Sequence, residues 1–426
     1  MPVWRCNPLV DPASASLRHF RAIHPEPASV PFKSIELFTG AGGLALATHG
    51  AGFQHAGLFE WNRDACETLR HNAARKAIPR MANWQSRVHE GDVSGVDFSA
   101  FEGVDLVAGG PPCQPFSLGG KHRGMEDRRD MIPQFIRAVR EAQPRAFIME
   151  NVRGLTRQSF ATYLNFSVLQ LTYPEITRKR GECWETHLAR LQQHHTSSPR
   201  RSGLSYNVVQ QVLNAADYGV PQCRERIFLV GFRCDIDAHW SFPEPTHSQE
   251  SLLHDQWVSG EYWDRVGAKK PTERPGIVVR RWKALQERPA TAPWRTIREA
   301  VAGLPKPTKS DAPLGEIYNH RFQPGARPYP GHTGSPFDSP SKTLKAGDHG
   351  VPGGENMIAF PDGSYRYLTV REAARVQTFP DAWRFEGAWS EAMRQLGNAV
   401  PVDLAAAVAK SVAATLKQHG SARRGA

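Results

Sequence analysis

The stretch V-D-L-V-A-G-G-P-P-C-Q-P-F-S, residues 104–117, decides how the rest of the chain folds around it. It begins with a mainly apolar run that contains β-branched residues, which is typical of a strand buried in a sheet, and Gly109-Gly110 with two prolines ends that strand. Cys113 follows on a loop that the flanking prolines restrict in φ. In an open α/β sheet, ligands bind beyond the carboxyl ends of the strands. Cys113 is either a small buried hydrophobe or a presented thiolate nucleophile, and the rigid loop favours the nucleophile.

A strand, a glycine-rich turn and a helix are predicted in S-I-E-L-F-T-G-A-G-G-L-A-L-A, residues 34–47. Glycines in such a turn let a ligand approach the backbone at a helix N-terminus, although a merely tight connection has the same pattern. The next strand ends in Glu60, 20 residues after Gly40. An acid at that spacing reaches the ribose hydroxyls of an adenosine-containing ligand. Trp61 either covers an adenine face or packs as an aromatic residue at the rim.

Polar side chains also lie at the ends of three further predicted strands. Asp92 ends a strand around Val88 and is placed to accept a hydrogen bond from an adenine amino group. Glu150 ends the strand R-A-F-I-M-E-N-V, and a carboxylate buried there is costly unless it is paired or protonated. Arg224 and Arg226 alternate with a glutamate, so on an extended segment they face the same way. Two guanidinium groups at a sheet end suit a phosphate or a base carbonyl oxygen.

Composition limits the classes of protein that fit. The 426 residues allow two or three domains, and 53 Lys plus Arg against 42 Asp plus Glu give a net charge of +11, which favours a polyanionic partner. The 6 cysteines show no metal-ligand spacing, so neither a zinc site nor a disulfide framework is predicted. The N-terminus has no apolar signal segment, and no stretch approaches the roughly 18 apolar residues of a membrane span. We therefore expect a cytoplasmic protein.

The pattern changes along the chain and predicts four parts. Residues 1–33 are proline-rich and predict an N-terminal arm of low structural content, and residues 34–234 alternate apolar strands with helices. Within the latter, residues 156–205 predict a helix and a long loop. Residues 235–365 predict a separate basic module with short strand-like pieces such as G-I-V-V-R-R-W. Residues 366–426 predict a return to the first domain.

Two helices are predicted in this last part. One lies between Thr369 and Phe379. The other carries a single apolar stripe that would pack on the sheet, formed by Leu404, Val408, Val412 and Leu416.

Taken together, these pieces resemble the cytosine-C5 DNA methyltransferases of bacterial restriction-modification systems. The resemblance covers most of residues 34–232 and 366–410, with eight motifs in the family's order: E-L-F-T-G-A-G-G, F-E-W, G-D-V, G-G-P-P-C-Q-P-F-S, E-N-V, Q-C-R-E-R, R-Y-L-T-V-R-E-A-A-R-V-Q-T-F-P and Q-L-G-N-A-V-P. It implies an α/β fold: a Rossmann-like methyltransferase sheet with a second, smaller target-recognition domain that matches residues 235–365. Glu36 stands where an aspartate is usual, and Cys223 where a basic residue is common.

The resemblance also implies a mechanism. Cys113 would add to C6 of a cytosine flipped out of duplex DNA, a protonated Glu150 would stabilise N3, and Arg226 would hold O2 with Arg224 in support. S-adenosylmethionine would be the methyl donor and no metal would be needed. The residues expected to bind it are Phe38, Gly40, Gly42, Glu60, Trp61, Asp92, Pro111 and Asn398.

Other functions fit parts of the pattern. A tRNA cytosine methyltransferase would use Cys113 and Glu150 equally well, but would hardly need the basic module. A catalytically dead DNA-binding regulator is disfavoured because the cysteine, glutamate and arginines are all present. A fused restriction endonuclease lacks a second cluster of carboxylates. The expected partners are therefore double-stranded DNA and a cognate restriction endonuclease or other defence-system protein, with a monomeric enzyme.

Overall fold

In the computed structural model, a seven-stranded sheet carries the site. The structure describes residues 32–81, 83–112, 130–197, 203–310, 315, 317–330, 332–346 and 356–420, so most of the predicted arm and Cys113 with the loop after it lie outside the described residues. The strands are β1 (Phe32–Leu37), β2 (Phe53–Glu60), β3 (Val88–Glu90), β4 (Leu106–Gly109), β5 (Ala146–Val152), β6 (Tyr206–Asn214) and β7 (Glu225–Arg233).

The strand order is β3-β2-β1-β4-β5-β7-β6. Strands β3, β2, β1, β4 and β5 are parallel to one another, and β7 runs antiparallel to both of its neighbours. The order reverses at β1, so the crevice beyond the carboxyl ends of β1 and β4 is the expected ligand site. This is the predicted Rossmann-like α/β architecture.

Helices cover both faces of the sheet because its central strands are apolar on both sides. The helices of this part are α1 (Gly43–Gly50), α2 (Arg63–Ala74), α3 (Ile132–Ala142), α4 (Ala161–Thr172) and α5 (Trp184–Ser197). α3 and α4 pack on one face through Phe135, Val139 and Leu164. The prediction of one helix and a long loop for residues 156–205 was wrong, since α4 and α5 pack together through Leu169 and Leu191.

Residues 235–365 consist of short elements joined by loops. They contain β8 (His247–Ser248), α6 (Gln249–His254), α7 (Glu261–Val266), α8 (Gly276–Arg281), β9 (Ala292–Pro293), α9 (Ile297–Ala300), β10 (Ser335–Pro336) and β11 (Met357–Ala359), and β12 (Tyr365–Tyr367) crosses the predicted boundary. The predicted strand in G-I-V-V-R-R-W is wrong. That stretch forms α8, because Val278 packs into a small core with Leu253, Trp257 and Leu285, and this contact overrides the β propensity of valine.

The chain from Phe32 onward clusters as one compact unit. The start of the predicted module packs on the large sheet, since Phe242 is buried against it and Trp240 Nε1 donates to Ser411 Oγ at 2.9 Å. The last part contains α10 (Val370–Val376), α11 (Trp389–Asn398) and α12 (Val402–Gly420).

The predicted apolar stripe of α12 is fully buried against the sheet, with Leu404, Val408, Val412 and Leu416 each 0% exposed. By length and composition, Trp389–His419 is the one candidate membrane span among the described residues, and 56% of its apolar window is buried inside the protein. This burial identifies α12 as a core helix.

We predict that Gly43→Ala destabilises the protein whereas Gly50→Ala does not. A Cβ at Gly43 would lie 2.2 Å from Val400 O, while a Cβ at Gly50 meets nothing within 4 Å. Thermal or urea unfolding should show a loss of about 1–3 kcal/mol for Gly43→Ala. For Gly50→Ala we expect a gain of at most about 1 kcal/mol, from the better helix propensity of alanine. Equal stabilities of the two variants would contradict this packing of α1.

Candidate active site

The ends of β1, β2, β4 and β5 meet at one edge of the sheet. Leu37 pairs with Gly109 in register, and Gly109 pairs with Met149 on its other side. The segments that follow these strands therefore begin side by side. They contain the glycine-rich turn, Glu60, Pro111 and Glu150, so the structure brings these four predicted site features to one edge.

The turn after β1 has an unusual backbone. Phe38, Gly40 and Gly42 have φ angles of 57°, 55° and 93°. Glycine accepts positive φ freely, whereas at a phenylalanine it stores strain that is found mostly at functional sites. A Cβ at Gly40 would meet nothing within 4 Å, but one at Gly42 would lie 2.9 Å from Leu69 Cδ2. Gly40 therefore faces open space at the N-terminal end of α1, and Gly42 packs tightly.

Glu60 is fixed by its own surroundings. Its Oε2 accepts from Gly40 N at 2.7 Å, and its Oε1 accepts from Trp61 N at 3.0 Å and Asn62 N at 2.8 Å. Burial raises the pKa of Glu60, while these backbone N–H donors lower it. The carboxylate thus ties β2 to the glycine turn and has remaining acceptor capacity for a ligand hydroxyl.

Trp61 and Asp92 lie at the same edge but are exposed. Trp61 is 75% exposed, so the structure does not pack it as a rim aromatic. Asp92 Oδ1 accepts from Ser94 N at 2.8 Å and caps a short turn after β3. Neither side chain is buried against its neighbours, and each remains available to a ligand.

The chain leading to Cys113 is held against the end of β5. Asn151 Nδ2 donates to Pro111 O at 3.0 Å, and a Cβ at Gly110 would lie 3.0 Å from Glu150 Oε2. Only a residue without a side chain allows so close an approach. Cys113 itself lies outside the described residues, so its predicted role stays a prediction.

Glu150 and Arg226 form a buried ion pair. Arg226 Nε lies 2.9 Å from Glu150 Oε1, and the side chains are 12% and 9% exposed, respectively. Burial raises the pKa of Glu150, and the nearby guanidinium groups of Arg226 and Arg224 oppose that rise. Both groups come from adjacent antiparallel strands, where Asn151 pairs with Ile227. This is a carboxyl group whose protonation is easily shifted by a ligand that binds Arg226.

Arg224 lies close enough to Glu150 and Arg226 to act on both electrostatically, but its own guanidinium is engaged with backbone carbonyls, as a supporting role requires. Its Nη1 donates to Leu344 O at 3.0 Å and its Nη2 to Gly397 O at 2.6 Å, in a fully buried setting. Burial lowers the pKa of this guanidinium. Arg224 therefore joins the start of β7 to two distant segments and is a positioning residue.

The end of α11 packs on the glycine turn. Val400 O lies against Gly43, and Trp383 Nε1 donates to Ala41 O at 3.2 Å. Asn398, the last residue of α11, is exposed two positions before Val400. The predicted cofactor residue from the C-terminal part thus lies close to the turn that follows β1.

Sequence reasoning missed three residues of the site. Gln222 Oε1 accepts from Leu344 N at 3.0 Å, and Asn151 holds Pro111 as described above. Glu36 in β1 is 1% exposed, and within the described part of the chain its carboxyl oxygens make no hydrogen bond of ordinary geometry. Burial raises the pKa of Glu36 well above the usual range, which favours its neutral form. All three lie in motifs quoted above, but only the fold shows the partners of Gln222 and Asn151 and the burial of Glu36.

The model of the C-5 cytosine-specific DNA methylase family matches residues 32–172 and 200–414. This chain belongs to that family. Its curated relatives include the Type II methyltransferases M.PspPI of Psychrobacter sp. (32% identical, covering 89% of this chain and 79% of the relative) and M.Eco47II of Escherichia coli (35%, 89% and 78%). M.NgoMIV of Neisseria gonorrhoeae is 31% identical, covering 91% of this chain and 99% of the relative.

A crystal structure of a DNA modification methyltransferase encoded within an Escherichia coli prophage has the same fold, with a TM-score of 0.53 at 21% identity over 91% of this chain and 99% of that one. A C-5 cytosine DNA methylase transfers a methyl group from S-adenosylmethionine to C5 of cytosine in DNA, which is the predicted activity. The family supports DNA as the substrate rather than tRNA. In the described residues, no group of His, Cys, Asp and Glu side chains could hold a metal ion.

Arg224→Lys should destabilise the methylase, because one ammonium group cannot replace two guanidinium bonds to carbonyls on different segments. We expect the free energy of unfolding to fall by about 1–3 kcal/mol for each buried carbonyl that loses its donor. Arg226→Lys is measured in parallel. Its loss of unfolding free energy in urea should be smaller than the loss of transition-state stabilisation calculated from its methylation rate. If Arg224→Lys lowers methylation without changing stability, Arg224 contacts the substrate instead.

Proposed function

We propose that this chain is a sequence-specific DNA cytosine-5 methyltransferase in which Cys113 is the nucleophile, Glu150 the acid at N3 and Arg226 the ligand of O2. The observation that carries the proposal is the buried Glu150–Arg226 pair beside the loop that leads to Cys113. A carboxyl group and a guanidinium group together match the N3 and O2 atoms of cytosine.

Cytosine C5 is a poor nucleophile, and the proposed residues increase its nucleophilicity. The Cys113 thiolate bonds to C6, and the electron pair of the C5–C6 double bond makes C5 nucleophilic. Bound S-adenosylmethionine supplies the electrophilic methyl group. After C5 has accepted it, loss of the C5 proton and departure of Cys113 restore the aromatic ring. Negative charge develops on the ring during addition, so a proton at Glu150 facing N3 stabilises that step.

Entry of a cytosine would change the protonation of Glu150 in the required direction. Arg226 now stabilises the charged carboxylate, and burial opposes that charge. When a base covers the pair and Arg226 donates to its O2, Glu150 loses contact with water and shares its hydrogen-bond donor, and both changes raise its pKa. The substrate itself thus promotes the protonated form that the reaction uses.

The residues at the sheet edge fit S-adenosylmethionine. Gly40 faces open space at the start of α1, the Glu60 carboxylate is oriented by three N–H groups, and the exposed Trp61 ring offers a face for adenine. We assign the ribose to Glu60 and the adenine amino group to Asp92. The other predicted cofactor residues surround this position and would contact the remaining atoms: Phe38, Gly42, Pro111 and Asn398.

We further infer that the basic module selects the DNA sequence. Two of its segments are fixed to the chain before β7: Trp294 Nε1 donates to Asp217 Oδ1 at 2.9 Å, and Cys223 N donates to Ser341 O at 2.8 Å. A surface anchored next to Arg226 can position bases beside the flipped cytosine. A pocket for one cytosine cannot read neighbouring base pairs, so another surface must contact them in the major groove.

The names of the relatives suggest the biological setting. They are Type II methyltransferases, which supports self-protection of cellular DNA beside a cognate restriction endonuclease. We place the enzyme in the cytoplasm, where that DNA lies, and propose that it acts as a monomer, since one flipped cytosine occupies one site.

Glu150→Gln should lower the methylation rate about 10²- to 10⁴-fold with little change in cofactor affinity. The raised pKa of Glu150 means that the acid is fully protonated at low pH and is lost as pH rises through that pKa. The methylation rate of the wild type should therefore fall as pH rises through that pKa. The glutamine variant should not show this fall. Glu225→Gln, at an exposed glutamate that pairs with Arg153, is the control. Transfer of labelled methyl groups to genomic DNA gives the rates, and an unimpaired Glu150→Gln would assign the acid to another group.

Exchange of residues 246–340 with those of a curated relative should transfer the relative's recognition sequence. The exchange leaves Phe242 on the sheet and Ser341 beside Gln222. It also replaces Ile297 and Ala300, which pack in a core of the catalytic part, so thermal unfolding of the hybrid is measured first. Bisulfite sequencing of methylated DNA reads out the site. An active hybrid that still methylates its original site would show that recognition lies elsewhere.

A further inference from the structure

The positive charge of the basic module is divided between paired and unpaired side chains. Residues 265–298 contain ten Lys or Arg and two Glu. A guanidinium that already holds a carboxylate must give up that partner before it can bind DNA, so the paired residues are poor candidates for base contacts. The unpaired ones show which surface is free to bind.

Seven of the ten have a partner within the protein. Arg265 pairs with Glu299 at 3.1 Å, Arg281 with Glu250 at 2.8 Å, Arg288 with Asp255 at 3.0 Å and Arg298 with Asp338 at 2.6 Å. The other three contact carbonyl oxygens or a ring: Lys270 with Trp257 O at 3.0 Å, Arg295 with Gly219 O at 3.4 Å and Arg274 over the Trp282 ring at 3.8 Å.

The side chains of Lys269, Arg280 and Lys283 are exposed, and none of these three side chains forms an ion pair or hydrogen bond with another described residue. Two of the three lie on α8 or directly after it. The neighbouring Val279 is 61% exposed, an unusual position for a large apolar side chain. α8 therefore presents an apolar group and a free guanidinium at adjacent positions.

We propose that α8 enters the major groove of the DNA and that Arg280 and Val279 read base pairs there. The inference rests on the proposed recognition role of the module and deepens it. An unpaired guanidinium donates two hydrogen bonds to O6 and N7 of guanine, and an exposed valine packs on the methyl group of thymine. Lys283 and Lys269 contact phosphates, which give affinity without sequence information.

The helix is held rigidly enough to read bases. Val278 is 0% exposed and packs with Leu285, while Val279 and Arg280, the next two residues, are exposed. Arg281 pairs with Glu250 of α6, but both side chains are about half exposed, so this pair adds little to the position of the helix. A side chain on a packed helix keeps its position better than one on a loop, as base readout requires. A helix is about 10–12 Å wide and the groove about 12 Å, so α8 fits.

Arg280→Ala tests the inference, with Arg281→Ala as the matched control on the next residue. Each purified full-length enzyme methylates a random-sequence duplex library, and bisulfite sequencing gives the preference at each position of the site. We expect Arg280→Ala to lose discrimination at one G·C pair on the order of ten- to a hundredfold. Arg281→Ala should keep the wild-type site. Lys283→Ala should weaken binding to all sequences alike. The slope of the logarithm of the binding constant against the logarithm of the salt concentration should become shallower by about one, because one phosphate contact is lost.

Two outcomes would overturn the inference. If Arg280→Ala keeps the wild-type recognition sequence, or if it lowers the methylation of all sequences equally, α8 does not read bases. Thermal unfolding of each variant checks that the fold is retained. Arg280→Lys keeps the charge but cannot make two parallel hydrogen bonds, so it should also lose discrimination at that base pair. The exchange of residues 246–340 separates the two proposals. If that exchange transfers the site while Arg280→Ala leaves it unchanged, only the role of α8 is wrong.

Discussion

The ion pair between Glu150 and Arg226 is the interaction on which the site depends. Two charged groups taken out of water cost several kcal/mol each, and removal of one partner leaves the other charge uncompensated. The fold supplies this pair by placing β7 antiparallel against β5, so that the two side chains meet at one sheet end. A parallel strand there would bring a different residue of the chain beside Glu150. The reversed strand is thus what makes the acid and the base-binding guanidinium neighbours.

Distant parts of the chain hold this pair in place. Arg224 bonds to carbonyls 120 and 173 residues away in sequence, which fixes the start of β7 against the segments around Leu344 and Gly397. The latter segment continues to Val400, which packs on Gly43 beside the turn that we assign to the cofactor. One buried guanidinium therefore links the proposed catalytic pair, the end of the basic module and the proposed cofactor site. The segments that we assign to cofactor binding, DNA recognition and catalysis are therefore packed together.

The sequence predicted the parallel sheet and the sheet edge well, because apolar runs that end in glycine or an acid are local signals. Glu60 and Glu150 were found in this way. The orientation of Arg224 was not predictable, since it depends on carbonyl groups far away in sequence. α8 was misjudged because valine favours strands, whereas the packing of Val278 into a small core favours a helix. The burial of Glu36 without a partner and the exposure of Asp92 likewise depend on three-dimensional surroundings that spacing does not encode.

The central claim is that Cys113 attacks cytosine beside the Glu150–Arg226 pair, and covalent trapping tests it most directly. Fluorine at C5 cannot leave as the proton does, so a random duplex with 5-fluorocytosine should capture the enzyme in the presence of S-adenosylmethionine. Mass spectrometry of the digested complex should find the adduct on Cys113. Burial raises the pKa of Cys66 to about 12 and that of Cys223 to about 11, so neither is a ready thiolate. An adduct on either of these, or continued methylation by Cys113→Ala, would contradict the account.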